Sequence, residues 1–316
     1  MSGKEFAEKV LQSAGKVIIG KDEVIRRILA AMLSDGHVLL EDVPGTGKTR
    51  LAKTMAKILG LECARIQFTP DLLPSDITGM NIYDRQKNEF VLRKGPVFTN
   101  ILLADEINRA TPRTQAGLLE CMEERQITID GVSYAAGDPF FVIATQNPVE
   151  TAGTFPLPEA QLDRFMMKLS MGLPDRAQEM AILDCYHSVE KDPLKELQSV
   201  FTKEQLKEAK RQTDRTYVHS CIREYIASLA EASRKGDSVS MGVSPRGSLA
   251  LLRCAKAYAW LNGREYVLPD DIRLLAVPVL AHRVVLNQGY QSGEDTGAYM
   301  EKILSQVPVP TEDFTV

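Results

Sequence analysis

The sequence predicts an α/β core built on a parallel sheet, followed by a smaller all-α domain. Short continuous apolar runs at 38–40 and 101–104 are typical of strands buried on both faces of a sheet. Such runs alternate with helical segments as far as residue 173, and almost every later segment has helical periodicity. With 316 residues the chain has room for two domains. We therefore assign residues 1–173 to the α/β core and 174–316 to the helical domain.

The composition is that of an ordinary globular protein. Hydrophobic residues make up 44% and charged residues 25%, and the net charge is −4 with a pI near 5.7. An acidic balance argues against non-specific nucleic-acid binding, although a local basic groove is compatible with it.

The cysteines and the N-terminal segment indicate a cytoplasmic protein. The chain has five scattered cysteines without a Cys-x-x-Cys pair, which predicts free thiols in a reducing compartment. Residues 4–14 mix charged and apolar side chains, so they predict an amphipathic helix and not a signal peptide. No apolar run approaches the roughly 18 residues that a membrane span needs, so we expect no membrane insertion.

Residues 42–49, Asp-Val-Pro-Gly-Thr-Gly-Lys-Thr, predict a phosphate-binding loop between a strand and a helix. The helix runs from 49 to 59 and ends at Gly60, so its positive N-terminal end points toward the loop. One position departs from the general Walker A template, because Asp42 replaces its first glycine. A strand–turn–helix without a ligand is the alternative.

Each residue type in this loop has a chemical reason. Gly45 and Gly47 leave room for backbone N–H groups to face a polyphosphate, Lys48 supplies a positive charge, and the Thr49 hydroxyl can ligate magnesium. The candidate nucleotide-binding residues are Gly20, Pro44, Gly45, Thr46, Gly47, Lys48, Thr49, Arg50 and Asp105, and the candidate magnesium ligands are Thr49 and Asp105.

Two helices, 4–14 and 22–33, precede the first strand and are separated by the apolar stretch 17–20. An apolar wall at this place suits an adenine ring, but spacing alone allows simple packing equally well.

Residues 69–97 interrupt the α/β alternation after a second strand at 65–68. The segments 82–84 and 89–92 flank the polar turn 85–88, which predicts a β-hairpin. It is either a decoration or a working loop that contacts a partner. A basic cluster accompanies it, formed by Arg65, Arg85, Lys87, Arg93 and Lys94.

The run 101–106 ends in Asp105 and Glu106, which suits a central strand whose carboxyl end meets a ligand. Asp105 would hold magnesium through water, and Glu106 would polarise a water attacking the γ-phosphate. Asn108 and Arg109 either polarise Glu106, reach a neighbouring subunit or form a solvated turn.

Helix, hairpin and strand follow in order. Residues 114–124 predict a helix, and 127–134 contain an Asp-Gly turn between alternating arms, a strong hairpin signal. The run 140–145 predicts another buried strand. Asn147 follows it, where an amide could orient the attacking water or form an Asn-Pro turn.

The helical domain has predicted helices at 175–188, 203–215, 218–235, 245–261, 270–285 and 296–305. Ser244-Pro245 forms a good helix start, which places Arg246 in a first turn. A cation there opposes the helix dipole unless an anion is also present. A surface arginine is the alternative.

Taken together, these motifs resemble the AAA+ ATPases and, within them, the MoxR family. The resemblance runs from about residue 18 to 310 and rests on five motifs in the expected order, at 41–49, 103–110, 145–148, 158–165 and 243–246.

The resemblance implies roles for several residues. Asn147 would be sensor 1, Arg164 the arginine finger and Arg246 sensor 2, while 79–93 and 126–134 would be hairpin inserts that line the axial face or pore of a ring. It further implies ATP and Mg²⁺ as ligands, a hexamer with sites between subunits, and a protein client, often with a partner containing a von Willebrand factor A domain. Whether Arg246 acts on its own nucleotide or its neighbour's stays open, because the helix 218–235 could reposition the lid.

Three functions remain open at this point. The first is a chaperone-like ring ATPase that assembles or activates protein complexes. A DNA-directed or chelatase-type motor of the same clade is the second, to which the acidic pI gives little support. The third is a nucleotide switch with little turnover, for which Glu106 would be unnecessary.

Overall fold

The computed structural model of the protein describes residues 1–148, 153–186, 192–236, 238–287 and 295–311. The core contains α1 (Gly3–Ala14), α2 (Asp22–Leu33), β1 (Val38–Glu41), α3 (Lys48–Ile58), β2 (Cys63–Gln67), α4 (Pro74–Thr78), β3 (Gly79–Asp84), β4 (Glu89–Lys94), β5 (Ile101–Asp105), α5 (Pro112–Glu124), β6 (Gln126–Ile129), β7 (Val132–Ala135), β8 (Phe141–Gln146), α6 (Glu159–Leu162) and β9 (Met167–Leu169). The rest contains α7 (Arg176–Tyr186), α8 (Pro193–Glu196), α9 (Lys203–Asp214), α10 (Ser220–Ser233), β10 (Val239–Met241), α11 (Pro245–Leu261), α12 (Pro269–Leu280), β11 (Val285–Leu286) and α13 (Thr296–Gln306).

A five-stranded parallel sheet with the order β2-β5-β8-β1-β9 forms the centre of the core. Its inner strands β5, β8 and β1 are almost fully buried because both faces of the sheet are covered, whereas the edge strand β2 has exposed polar residues. In β1, Val38 and Leu40 enter the hydrophobic cluster on one face and Leu39 enters the cluster on the other. The predicted α/β core is thus confirmed.

The carboxyl ends of these strands lie side by side at one edge of the sheet. Leu40 is paired with Thr145, and Gln67 with Asp105. The loops that follow β1, β5 and β8 therefore converge, which is where parallel sheets place their ligands.

Both predicted hairpins are present. Strands β3 and β4 pair along their length from Gly79–Lys94 to Asp84–Glu89, and β6 pairs with β7. The Asp130-Gly131 turn has positive φ at both residues, as a two-residue hairpin turn requires. The two hairpins are joined where Asn81 Nδ2 donates to Asp130 Oδ2 at 2.8 Å.

The second part of the chain forms a helical lid. It also contains a short antiparallel pair of strands, β10 and β11, which was not predicted. The predicted helix 270–285 ends at Leu280, is followed by a 3-10 turn at Ala281–Arg283, and continues as β11. The β-branched residues Val284 and Val285 favour this extended ending.

The lid packs on the N-terminal helices through one large apolar cluster. Phe6 of α1 lies with its ring centroid 4.5 Å from that of Phe201 and 5.8 Å from that of Trp260. The division at residues 173 and 174 stays a prediction, because this cluster runs without interruption from α1 to α13. Over the described part of the chain, every helix is too short or too polar to cross a membrane.

Candidate active site

The loop between β1 and α3 has the backbone that its glycines predict. Gly45 and Gly47 both have a φ of +88°, and a Cβ at either position would meet nothing within 4 Å. The left-handed backbone, and not crowding, therefore requires glycine here. Gly47 immediately precedes α3, so the N-terminal end of that helix faces the loop.

Lys48 lies across the loop. Its Nζ donates to the Asp42 carbonyl at 2.9 Å and the Val43 carbonyl at 3.4 Å. Thr49 follows in the first turn of α3. Glycine backbone, ammonium and hydroxyl are thus gathered at one helix start, the donor set that fits a polyphosphate.

Asp42 has a structural role that explains its departure from the glycine template. Its carboxylate accepts hydrogen bonds from Ser170 Oγ at 2.6 Å, Met171 N at 2.7 Å and Gly172 N at 3.1 Å. It thereby fastens the phosphate loop to the segment that leads from β9 into the lid.

A cleft of about 540 Å³ extends from the phosphate loop. Val17, Ile18 and Ile19 line it opposite Ile182 and Tyr186 of α7, so the apolar stretch predicted near the adenine does border the loop. Gly20 does not line the cleft. Its φ is +69°, and a Cβ there would lie 2.5 Å from the Gln178 side chain, so its lack of a side chain lets α7 approach.

Arg50 connects α3 with the lid. Its Nη1 donates to Tyr186 Oη at 2.9 Å and to Asp192 Oδ1 at 3.1 Å, and its guanidinium lies 4.5 Å from the Tyr186 ring centre. Tyr186 Oη donates in turn to the Val17 carbonyl at 3.0 Å. Burial raises the pKa of the Tyr186 hydroxyl, so it stays a neutral donor. This network holds one wall of the cleft.

Asp105 lies at the end of β5 and is held from two sides. Thr145 Oγ1 donates to its Oδ1 at 2.6 Å, and Arg65 Nη2 donates to its Oδ2 at 2.7 Å. The structure thus separates Arg65 from the predicted basic cluster of the hairpin.

Glu106 is fixed at both its backbone and its carboxylate. It has a φ of +56°, and its N–H donates to Thr145 Oγ1 at 2.8 Å. Gln67 Nε2 donates to its Oε2 at 2.7 Å, and Arg109 Nε lies 3.0 Å from the same oxygen. The suggestion that Arg109 polarises Glu106 agrees with this contact. Asn147 is buried directly after β8, the strand beside β5.

Arg164 and Arg246 meet elsewhere, around the carboxylate of Glu123 at the end of α5. Arg164 Nε lies 3.1 Å from Glu123 Oε2, and Arg246 Nη2 donates to Glu123 Oε1. Arg246 Nη1 also lies 3.8 Å from Asp163 Oδ2. These carboxylates are the anions that a cation in the first turn of α11 requires.

The two arginines line a second cavity, of about 600 Å³. Among the described residues, none of those lining it also lines the phosphate-loop cleft. The structure therefore brings the phosphate loop, Asp105 and Glu106 to one sheet edge, and the two arginines to another place.

The sequence analysis did not predict several residues that make polar contacts with the candidate site residues. They are Gln67, Thr145, Glu123 and Asp163. Thr145 lies in a motif that was singled out, and only the sheet register shows which carboxylate its hydroxyl meets. Glu123 carries no sequence signal, since an acidic residue at a helix end is common.

Comparisons with known proteins agree with this architecture. The ATPase family associated with various cellular activities (AAA) matches residues 37–167, and the AAA lid domain matches residues 231–303. YeaC of Bacillus subtilis, an uncharacterised protein, is 47% identical over 98% of this chain and 96% of its own. Chaperone MoxR1 of Mycobacterium tuberculosis is 38% identical over 96% of this chain and 82% of its own.

A solved structure shares the whole fold. The crystal structure of a presumed ATPase from Cytophaga hutchinsonii superposes with a TM-score of 0.91 at 39% sequence identity, and the match covers 98% of this chain and 96% of that one. The matches therefore span the parallel core and the helical lid together. This chain belongs to the MoxR family of AAA+ ATPases.

Proposed function

We propose that this chain is one subunit of a ring, a hexamer by family resemblance, that hydrolyses ATP to ADP and phosphate at sites shared between neighbours. The observation that carries the proposal is the separation of Arg164 and Arg246 from the phosphate-loop cleft. Phosphoryl transfer needs positive charge on the γ-phosphate in the transition state. A second copy that presents its two arginines to the cleft would supply this charge.

In this proposal the cleft holds the nucleotide of its own subunit. The N–H groups of the loop and the Lys48 ammonium bind the phosphates, and the apolar wall at Ile18 and Ile19 packs on the base. Glu106 orients a water toward the γ-phosphate and accepts its proton. For that, its carboxylate must exchange the contact with Gln67 for one with water.

A magnesium ion fits the residues at the loop. The Thr49 hydroxyl and the Asp105 carboxylate are oxygen ligands of the kind that Mg²⁺ takes together with phosphate oxygens and water. When bound, the ion would neutralise charge on those oxygens.

We assign both Arg164 and Arg246 to the neighbour's nucleotide. Glu123 supports this assignment, because a single carboxylate contacts both side chains and holds them side by side in one cavity. A γ-phosphate entering that cavity would compete with Glu123 for the two guanidinium groups.

We further propose that the ring acts on a protein client in the cytoplasm, with a protein containing a von Willebrand factor A domain as the partner that the family resemblance implies. The relative named Chaperone MoxR1 supports a chaperone-like role. The joined hairpins support a contact surface, because Phe90 is 72% exposed and Tyr83 and Met80 are nearly half exposed. The five cysteines carry free thiols, which suits a reducing compartment.

A DNA-directed or chelatase-type motor is the second candidate. Arg85, Lys87, Arg93 and Lys94 are exposed on the β3–β4 hairpin, and they favour an anionic partner. Double-stranded DNA titrated at several salt concentrations separates the two. Binding whose logarithm falls steeply and linearly with that of salt would favour the motor.

The shared site is tested by mixing variants that lack different halves of it. Lys48→Ala keeps both arginines but can no longer bind ATP in its own cleft. Arg164→Ala keeps the cleft but cannot supply the arginine finger to its neighbour. Each alone should lose most ATP hydrolysis, because a trans arginine is worth roughly 10³–10⁵ in rate. An equimolar mixture should hydrolyse ATP faster than the sum of the two. A mixture that never exceeds the sum would refute the shared site.

The role of Arg246 follows from two further mixtures. If it acts on the neighbour's nucleotide, Arg246→Ala should regain activity with Lys48→Ala but not with Arg164→Ala, because every interface of the latter mixture lacks one arginine. Recovery with Arg164→Ala would place Arg246 in its own subunit's site.

A further inference from the structure

Arg283 is a buried cation of the lid that the proposed chemistry does not use. It follows α12, and its side chain is only 3% exposed. A guanidinium has five N–H donors, and leaving any of them unpaired in the interior is costly. The residues that accept its hydrogen bonds therefore identify the segment that Arg283 holds in place.

Four of the five donors bind the short segment 163–166, which joins α6 to β9. Nε donates to Asp163 Oδ1 at 2.7 Å, and Nη2 donates to the carbonyls of Asp163 at 3.2 Å and Phe165 at 2.8 Å. Nη1 donates to the Met166 carbonyl at 3.3 Å and to that of Val279 in α12. Each donor has one acceptor.

Arg164 projects from the middle of this segment. Arg283 contacts the residue before it and the two residues after it, and His282 Nε2 lies 3.0 Å from the Phe165 carbonyl. The backbone from which Arg164 leaves the core is thus fixed by two consecutive lid residues.

The same side chain borders the segment that carries Arg246. A Cβ on Gly247, the next residue, would lie 3.0 Å from Arg283 Cδ. Asp163 also accepts from Arg283 and lies near Arg246 Nη1. The Arg283 side chain therefore binds the segment that carries Arg164 through its guanidinium and lies beside the segment that carries Arg246 through its Cδ.

We propose that Arg283 is a positioning residue for the neighbour-directed arginines, and that it couples the lid to the arginine finger within one subunit. The inference rests on the proposed shared site. It assigns to Arg283 no contact with nucleotide. Its effect is to fix where the Arg164 side chain begins, and a shift of one ångström in a catalytic group costs about 10²-fold in rate.

Arg283→Lys tests this with a charge-conserving change. An ammonium has three donors and no planar fork, so it cannot satisfy all five acceptors. We expect kcat for ATP to fall about 10²-fold with little change in nucleotide affinity. The defect lies in the position of the Arg164 side chain that the subunit presents to its neighbour. Mixing Arg283→Lys with Lys48→Ala should therefore restore activity, as mixing Arg164→Ala with Lys48→Ala should.

Arg264→Lys is the matched control. Arg264 is also a partly buried lid arginine, and it binds Asp271 through two bonds of 2.6 Å, all within the lid. This change should lower the melting temperature but leave kcat close to that of the wild type. A loss of kcat equal to that of Arg283→Lys would show a general lid defect and overturn the assignment.

The mixtures also separate the inference from the proposal beneath it. If Arg164→Ala is restored by Lys48→Ala but Arg283→Lys is not, the shared site stands and the positioning role fails. A wild-type kcat in Arg283→Lys overturns the role as well. If neither is restored, the shared site itself fails and the inference with it. Should Arg283→Lys not fold, Asp163→Ala, which removes the side-chain acceptor of Arg283 Nε and keeps the carbonyl bonds, takes its place with the same expected pattern.

Discussion

Glu106, the proposed catalytic carboxylate, is held by several neighbouring residues. A non-glycine residue with positive φ is uncommon, and such backbone persists only where neighbours hold it. Here Thr145 receives the Glu106 N–H and donates to Asp105, so one hydroxyl fixes both acidic residues. The carboxylate itself is held by Gln67 and Arg109. In this arrangement Gln67 restrains Glu106.

Removing that restraint should raise basal hydrolysis. In Gln67→Ala, Glu106 loses one hydrogen bond. The free energy needed to release its carboxylate toward water then falls by roughly 1 kcal/mol, which corresponds to an increase of about fivefold in kcat. Steady-state ATP hydrolysis measures this. Gln212→Ala is the control, because Gln212 makes a similar bond to Glu208 on the exposed face of α9. A lower kcat in Gln67→Ala would show that Gln67 orients Glu106 productively.

The sequence predicted the positions of Asp105 and Glu106 because a buried run ending in two carboxylates is a local pattern. It did not predict Gln67, whose approach to Glu106 depends on the pairing of Gln67 with Asp105 across two strands. Asp42 was predictable only in part. Its departure from the template is visible in the sequence, but the three hydrogen-bond donors that explain it come from the distant residues 170–172.

Among the elements, the β3–β4 hairpin carries an exposed aromatic pair next to its polar turn. Tyr83 and Phe90 face each other edge to face with ring centroids 5.4 Å apart, and Phe90 is 72% exposed. In the proposed function, these exposed rings are the surface that apolar peptide segments of a client would contact.

Phe90→Ser should separate client binding from hydrolysis. Because Phe90 is exposed, the substitution should change the free energy of unfolding by less than about 0.5 kcal/mol and leave basal kcat unchanged. Binding of fluorescently labelled unfolded casein, followed by anisotropy, should weaken. Met241→Ser, at an exposed apolar position on β10 of the lid, should not weaken it. Equal binding by both variants would dismiss the hairpin as the contact surface.

Local chemistry explains which elements the sequence predicts. Turn residues such as Asp130-Gly131 require positive φ and mark a hairpin by themselves. The short strands β10 and β11 give no such signal, because the segments that pair are separated by more than forty residues and neither is long enough to show a period.

For the whole molecule, two buried histidines join parts that are distant in sequence. His37 Nδ1 accepts from Val142 N and its Nε2 donates to the Met122 carbonyl, both at 3.0 Å, which links β1, β8 and α5. His282 links the lid to the start of β9. Burial lowers the pKa of His37 to about 4, and it lowers the pKa of His282 well below its usual value.

These shifts make the fold sensitive to mild acid. Between pH 6.5 and 4 the unfolded chain binds protons that the folded protein excludes, so stability falls as the pH falls, by up to about 1.4 kcal/mol per pH unit for each histidine. Urea unfolding at pH 7.5, 6.5, 5.5 and 4.5 measures the slope. His37→Gln should be less stable at pH 7.5 and have a shallower slope, since the carboxylates titrate in both proteins. An unchanged slope would contradict the role of His37.

The meeting of Arg164 and Arg246 at one carboxylate could not be predicted from sequence. Arg164 and Arg246 are separated by eighty-two positions, and only the folded chain brings both side chains to Glu123. The sequence therefore left the direction in which Arg246 acts unresolved, and the structure supplies the observation on which a choice is based.

The separation of the cleft from the arginine cavity has a consequence for symmetry. In a head-to-tail arrangement, each proposed active site joins the cleft of one copy to the arginine cavity of the next, and the opposite pair of surfaces on the same two copies stays open for further copies. Repetition of such a head-to-tail contact either closes into a ring or continues as a filament. In both, every subunit would receive arginines at its cleft from one neighbour and present its own arginines to the other neighbour. The proposed assembly would therefore have a direction, and the two unlike surfaces of the single chain already define that direction.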